Sequence, residues 1–189
     1  MRERDDHNRH KSGVVWLTGL SGAGKSTLAA GLCEALRKRG YRAYVLDGDN
    51  IRAGLNTDLG FSHADRVENI RRAGEMAALF EDAGMICISA FISPYRSERE
   101  TARRAARRFH EVYVKADLAT CERRDPKGLY RKARAGEIEN LTGIDDVYEP
   151  PENPALVIDT TATTVEEALA LLLEYVVGQF GDLHDKEPR

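Results

Sequence analysis

One stretch limits what this chain can fold into more than any other: Gly19-Leu20-Ser21-Gly22-Ala23-Gly24-Lys25-Ser26-Thr27, which is Gly, four residues, Gly, Lys and Ser, the Walker A or P-loop spacing. An apolar run, Val14-Val15-Trp16-Leu17, leads into it and reads as a short buried strand. Leu28, Leu32, Ala35 and Leu36 then recur on one side of a helix that Gly40 is placed to stop. Glycines without β-carbons let successive N–H groups turn inward beside a helix N-terminus that carries partial positive charge, so anions settle there. Lys25 is then placed to reach the β- and γ-phosphates of a nucleotide, and the Ser26 hydroxyl to ligate Mg²⁺. A plain glycine-rich turn is the bland alternative. Strand, spacing, Lys-Ser pair and helix all speak against it.

The remainder alternates strand-like and helix-like segments. Ala43-Tyr44-Val45-Leu46 reads as a second strand ending at Asp47-Gly48-Asp49-Asn50, and Ser62 as the N-cap of a long helix lined by Ile70, Ala73, Ala77 and Phe80 and closed by Gly84. Residues 85–92 are almost wholly apolar, as a strand covered on both faces should be, and Ser93-Pro94 closes them. A basic helix over 96–108, strands over 110–114 and 155–159, and a last helix capped by Thr164 complete the pattern. It predicts an α/β fold: a mostly parallel five-stranded sheet with helices on both faces. Ligands bind at the carboxyl ends of such strands, so the P-loop, residues 47–52, residues 91–96 and the segment after Val114 should converge on one cleft. Residues 1–12 and 178–189 read as polar tails around a single domain over 13–177.

At 189 residues one domain buries enough surface to need no disulfide or metal. Positive and negative charges nearly cancel, at −3 net, which argues against a nucleic-acid or membrane-surface binder held by excess positive charge. Cys33, Cys87 and Cys121 are odd in number without metal-type spacing, so they read as reduced thiols of a cytoplasmic protein, and no segment is long and apolar enough for a membrane. Guanine recognition by Asn-Lys-x-Asp is missing, which makes ATP the expected nucleotide.

Residues 120–137 pack Arg123, Arg124, Lys127, Arg131, Lys132 and Arg134 between hinge-capable Gly128 and Gly136, the composition of a lid over a triphosphate or of a solvated basic helix. Arg103, Arg104, Arg107 and Arg108 read as a solvated face. Asp49, at the cleft edge, is placed to hold Mg²⁺ and to take a proton from an attacking hydroxyl, or else to cap the short helix beginning near Asn50; for Asp47 the cap is the stronger reading.

The runs Leu46-Asp47-Gly48-Asp49-Asn50-Ile51-Arg52, Asp58-Leu59-Gly60-Phe61-Ser62, Arg66-Val67-Glu68-Asn69-Ile70-Arg71-Arg72, Ala90-Phe91-Ile92-Ser93-Pro94-Tyr95-Arg96 and Asp125-Pro126-Lys127-Gly128-Leu129-Tyr130 closely resemble adenylylsulfate (APS) kinases, in the family's order, over residues 13–177. The resemblance implies transfer of the ATP γ-phosphoryl group to the 3′-hydroxyl of adenosine 5′-phosphosulfate, with a lid over about 120–147. It implies that Gly19, Ser21, Gly22, Ala23, Gly24, Lys25, Ser26, Thr27 and Arg131 bind ATP, and that Ser26 and Asp49 hold Mg²⁺. Arg52, Arg66 and Asn69 should hold the phosphosulfate, with Phe61 stacked on the substrate adenine or else plugging the core. Phe91, Ile92, Ser93, Lys127 and Leu141 should line the same pocket. Lys25, Asp49 and Ser93 are the candidate catalytic residues. Family members are commonly described with this serine as a phosphorylated intermediate, yet no activating base stands near Ser93 in sequence, and substrate contact or strand termination fits it better.

A homodimer and a working link to an ATP sulfurylase are further implications of the resemblance. Leu141 stands where relatives often have Phe, so the acceptor adenine should lose one aromatic face, and Ala53 and Val147 replace residues often His and Pro. Another P-loop kinase of nucleotides or small molecules, or a regulatory nucleotide binder without turnover, is the alternative reading.

Overall fold

A computed structural model gives the architecture of residues 10–181. In chain order the elements are β1 (Gly13–Thr18), α1 (Lys25–Lys38), β2 (Ala43–Asp47), α2 (Gly48–Ala53), α3 (His63–Asp82), β3 (Ile86–Ala90), α4 (Arg96–Ala105), β4 (Phe109–Lys115), α5 (Leu118–Arg124), α6 (Leu129–Arg134), β5 (Leu156–Asp159) and α7 (Val165–Phe180). The five strands are all parallel, in the order β2-β3-β1-β4-β5. Parallel neighbours require crossovers, and each crossover carries at least one helix.

Strand β1 sits in the centre, and its alternating side chains divide the core. Val15 and Leu17 join Leu28, Leu32 and Leu36 of α1 and Leu172 and Val176 of α7 on one face, whereas Val14 and Trp16 join Ile70, Ala73 and Ala77 of α3 and Ala102 of α4 on the other. All six residues of β1 and all five of β3 are buried, which is why neither shows an apolar-polar alternation. The helix starts follow the sequence: Ser62 accepts from the Asp65 amide, and Thr164 and Glu167 form a reciprocal capping box. Because every strand points the same way, Thr18, Asp47, Ala90, Lys115 and Asp159 end along one edge.

The tails begin further out than their polarity predicts. Helix α7 continues through Gly178 to Phe180, whose ring is fully buried, and the Lys11 amide donates to the Phe180 carbonyl at 3.1 Å. His10 is buried too, its Nε2 accepting from the Arg42 amide at 2.8 Å and its ring centroid 5.0 Å from that of Tyr41. Single anchoring rings inside polar stretches escape any windowed reading. The outer parts of both tails, 1–9 and 182–189, lie outside the described residues.

The second basic cluster is not wholly a solvated face. Arg104 and Arg107 are exposed, but Arg103 pairs with Glu111 at 2.9 Å over the Phe109 ring, and the Arg107 and Arg108 amides donate to the buried Glu81 carboxylate. No helix among the described residues is long and apolar enough to cross a membrane.

Candidate active site

The edge formed by the strand ends opens into a cavity of about 1020 Å³, at the upper end of the range for small-molecule clefts, about 300–1,000 Å³. One end is the glycine loop. Ser21, Gly22, Ala23, Gly24, Lys25, Ser26 and Thr27 line it, with Gly22 and Gly24 at φ 77° and 101°. Gly22 also lies so close to α5 that a β-carbon there would stand 3.0 Å from the Cys121 carbonyl oxygen. Gly19 belongs beneath the loop rather than in it: a β-carbon would meet the Val114 carbonyl at 2.2 Å, so Gly19 lets the loop cross the end of β4.

Lys25 is only 8% exposed, and its ammonium donates to the Gly19 and Leu20 carbonyls at 2.9 and 2.7 Å. Burial, reinforced by the positive charge of Lys127, pulls its pKa down to about 8. Lys127 enters from the α5–α6 connection and forms an ion pair with Asp49. Gly128 and Gly136 bracket α6 at φ 67° and 72°, the left-handed turns the sequence marks as hinges.

The carboxylate beside Ser26 is not the expected one. Ser26 Oγ donates to Asp47 Oδ2 at 2.7 Å, while Asp47 Oδ1 caps α2 by accepting from the Asp49 amide at 2.9 Å. Asp47 thus both caps α2 and stands beside Ser26, because α2 begins at Gly48 and turns Asp49 toward Lys127. A hydroxyl and one or two carboxylates suit Mg²⁺, a hard cation that takes its other ligands from phosphate oxygens and water. Among the described residues no group of three or more His, Cys, Asp or Glu forms an all-protein metal cage.

The opposite end collects Arg52, Phe61, Arg66, Asn69, Phe91, Ile92, Ser93 and Leu141, as the sequence predicts. Phe61 is 67% exposed with the Arg52 guanidinium 4.6 Å over its ring, so it is no core plug and offers its other face to the opening. Asn69 is buried and accepts from Asn56 Nδ2 at 3.0 Å. Burial and the nearby charge of Arg66 both lower the Arg52 pKa, a repulsion that an anion between them would relieve. Leu141 is buried in the cavity wall and shared with the core of the α1 face.

Ser93 is a different matter. It is buried at φ 40°, its hydroxyl accepts from Trp16 Nε1 at 3.1 Å and donates to Thr18 Oγ1 at 3.0 Å, and its carbonyl accepts from Arg99 at 2.6 Å. That environment holds the wall of the cavity in a left-handed turn; a hydroxyl engaged on both sides is poorly placed to react.

Arg131 lies outside the cavity, its amide and that of Tyr130 held by Asp125. Among the described residues two basic side chains line it from the lid side, the expected Lys127 and also Arg124, which donates to the Gly22 carbonyl at 3.3 Å and to the Thr160 hydroxyl and carbonyl at 3.1 and 2.6 Å. Thr160, Thr163, Thr164 and Val165 complete this end, and sequence reasoning passed over all four. The signal was present: they follow β5, and the rule that ligands sit at strand ends applies to β5 as to the others.

Strand order, a phosphate cradle and a facing pocket of guanidiniums define a P-loop kinase. A sequence model described as adenylylsulphate kinase matches residues 11–159, and the chain belongs to that family. It is 58% identical over 180 residues to an adenylyl-sulfate kinase of Bacillus licheniformis, covering 94% of this chain and 91% of the relative. It is 58% identical over 179 residues to one of Geotalea uraniireducens, covering 94% and 86%. A solved structure of the Mycobacterium tuberculosis APS kinase in complex with AMPPNP and APS superposes with a TM-score of 0.85 at 46% identity, covering 88% of this chain and 98% of that one.

Proposed function

We propose that this chain transfers the γ-phosphoryl group of ATP to the 3′-hydroxyl of adenosine 5′-phosphosulfate. One observation carries the reading: a single cavity is lined both by the glycine loop and by Arg52, Phe61, Arg66 and Asn69, which supports a donor and an acceptor nucleotide sharing one opening. In this assignment the loop amides and Lys25 grip the ATP phosphates, and Arg124 with residues 160–165 borders the donor nucleoside. Ser26 and Asp47 would hold Mg²⁺, which when bound offsets the charge on the phosphate oxygens. Asp49 receives the proton of the acceptor hydroxyl once Lys127 leaves it for phosphate. Arg52 and Arg66 orient the phosphosulfate while Phe61 stacks on the acceptor base.

Positioning carries most of the rate in this scheme, since orientation contributes about 7–11 kcal/mol against a factor of about 10²–10⁴ from proton transfer. Segment 120–147 serves as the lid. Cytoplasmic location is supported by three buried free thiols, and a homodimer and a link to ATP sulfurylase rest on the resemblance alone. The test is ADP release with adenosine 5′-phosphosulfate, AMP, shikimate, gluconate or no acceptor. Turnover confined to the first and abolished in Lys25→Ala supports the reading; a different best acceptor replaces it with another kinase.

A further inference from the structure

Arg66 is held from four directions by two segments. Its guanidinium donates to the Phe61 carbonyl at 3.0 Å within its own neighbourhood, and to Thr142 Oγ1 at 3.1 Å and the Asn140 carbonyl in the loop that carries Leu141. Asp146 Oδ2 lies 3.5 Å away, both side chains mostly buried. The loop is a tight turn, with Asn140 and Gly143 at φ 59° and 94° and the Ile144, Asp145 and Asp146 amides all donating to the Leu141 carbonyl. Its own hydrogen bonds set its shape, and Arg66 sets where it sits against α3.

Asp146 has a second partner that the reaction as described does not use. Tyr95 donates its phenol to Asp146 Oδ1 at 2.6 Å, and the Val147 amide donates to the same oxygen at 2.9 Å. Tyr95 is the N-cap of α4, two residues beyond Ser93. One carboxylate thus joins three walls of the acceptor end: α3 through Arg66, the 140–146 loop, and the strand end that leads from β3 into α4. A site assembled from three separate segments loses affinity whenever one is free to move, so a group that ties them lowers the ordering cost of binding.

We propose that Asp146, held by Tyr95, is a positioning residue for the acceptor nucleotide: it fixes the Arg66 guanidinium and the Leu141 loop in one arrangement. Touching no reacting atom, it acts through Arg66 on an anionic acceptor and leaves the donor end unaffected. Burial and the neighbouring carboxylate push the Tyr95 phenol up to about 12, so the proton of this bond stays on Tyr95 across the working pH range.

The inference rests on the acceptor reading above, and the experiment separates the two. Full-length parent, Asp146→Asn, Tyr95→Phe and the double variant are titrated calorimetrically with adenosine 5′-phosphosulfate and with ATP, and KM for each substrate and the thermal midpoint are measured alongside. Asp146→Asn keeps a hydrogen-bond acceptor for Tyr95 but loses the charge facing Arg66. Its acceptor Kd and KM should rise roughly tenfold, the scale of one lost charge-assisted contact, with KM for ATP unchanged; some fall in thermal midpoint accompanies the loss of a largely buried pair. Tyr95→Phe should shift the same constants in the same direction by less, and the double variant should fall within about twofold of Asp146→Asn because both act through one junction. An acceptor Kd within twofold of the parent in Asp146→Asn, or equal losses for ATP, overturns the proposal. Should that variant not fold, an unchanged acceptor Kd in Tyr95→Phe does so. A parent that does not bind adenosine 5′-phosphosulfate overturns both readings, whereas normal parent turnover with unaffected variants overturns only the role of Asp146.

Discussion

Lys25 is needed for phosphate and unwelcome to the fold, and replacing it separates the two. Its pKa falls from the ordinary 10.5 to about 8 through burial and the charge of Lys127. At about 1.4 kcal/mol per pH unit, keeping the buried ammonium charged at neutral pH costs on the order of 3 kcal/mol. Lys25→Met retains the length and volume of the side chain and removes that cost. It also strips the Gly19 and Leu20 carbonyls of their donor, at a price of about 1–3 kcal/mol for each one. The two effects are of the same size, so at pH 7 the variant should lie within about 3 kcal/mol of the parent, where a large loss of stability would be expected if the ammonium were a net support of the fold.

The sign with pH follows from proton counts. Between about 8 and 10.5 the unfolded lysine is protonated while the folded one is not, so the parent gains stability as pH rises through that window. Methionine has nothing to titrate, so the difference between the two should move in the parent's favour over the same range. Saturating Mg-ATP should move it the same way: at a hundredfold excess over Kd the parent gains about 2.7 kcal/mol by mass action, and the variant, without its phosphate contact, gains far less. Thermal unfolding at pH 7 and pH 9.5, with and without Mg-ATP, measures all three differences. A stability difference that does not move toward the parent between pH 7 and pH 9.5, or a variant stabilised equally by Mg-ATP, refutes the reasoning.

Arg124→Ala should raise KM for ATP by about tenfold or more and leave the acceptor KM within twofold, because the lost guanidinium borders only the donor end; initial rates at varied ATP and varied acceptor decide it. Ser93→Ala should lower stability by on the order of 1–3 kcal/mol, leaving the Trp16 N–H unpartnered, yet keep kcat within about tenfold. A total loss of turnover in a folded Ser93→Ala protein would restore a covalent role for that hydroxyl. Leu141→Phe should tighten the acceptor Kd by roughly two- to tenfold, the range of about 0.5–1.5 kcal/mol for an aromatic pair, as read by calorimetry; an unchanged Kd places the acceptor base elsewhere.

The glycine loop, the helix caps at Ser62 and Thr164 and the meeting of 47–52 with 91–96 were legible because each depends on near neighbours in sequence or on the rule of strand ends. Asp47 and Asp49 were not separable in that way. Which of two aspartates faces Ser26 depends on the residue at which α2 starts, and helix boundaries are the least readable feature of a sequence. Arg124 and Arg131 differ for a similar reason: the basic segment forms two short helices, α5 and α6, separated by the turns at Asp125 and Gly128, so arginines of one basic run reach different places. Phe180 and His10 show the reverse case, where composition says tail and one buried ring says core.

The polar groups that line the cavity pair with one another and with nearby main chain. Lys25 rests on two carbonyls, Ser26 on Asp47 and Lys127 on Asp49, whereas Arg66 is held in place by Asn140, Thr142 and Asp146. Two like-charge neighbours, Lys25 with Lys127 and Arg52 with Arg66, repel each other, and this adds to burial in lowering the pKa of Lys25 and of Arg52. Phosphate and phosphosulfate groups would relieve both repulsions while taking over donors that are now only partly satisfied, so binding energy is the difference between two sets of contacts. A neutral acceptor would compete for the same donors without offsetting the repulsion. Selection for a charged acceptor therefore comes from what the unliganded protein keeps unfavourable as much as from the contacts it adds.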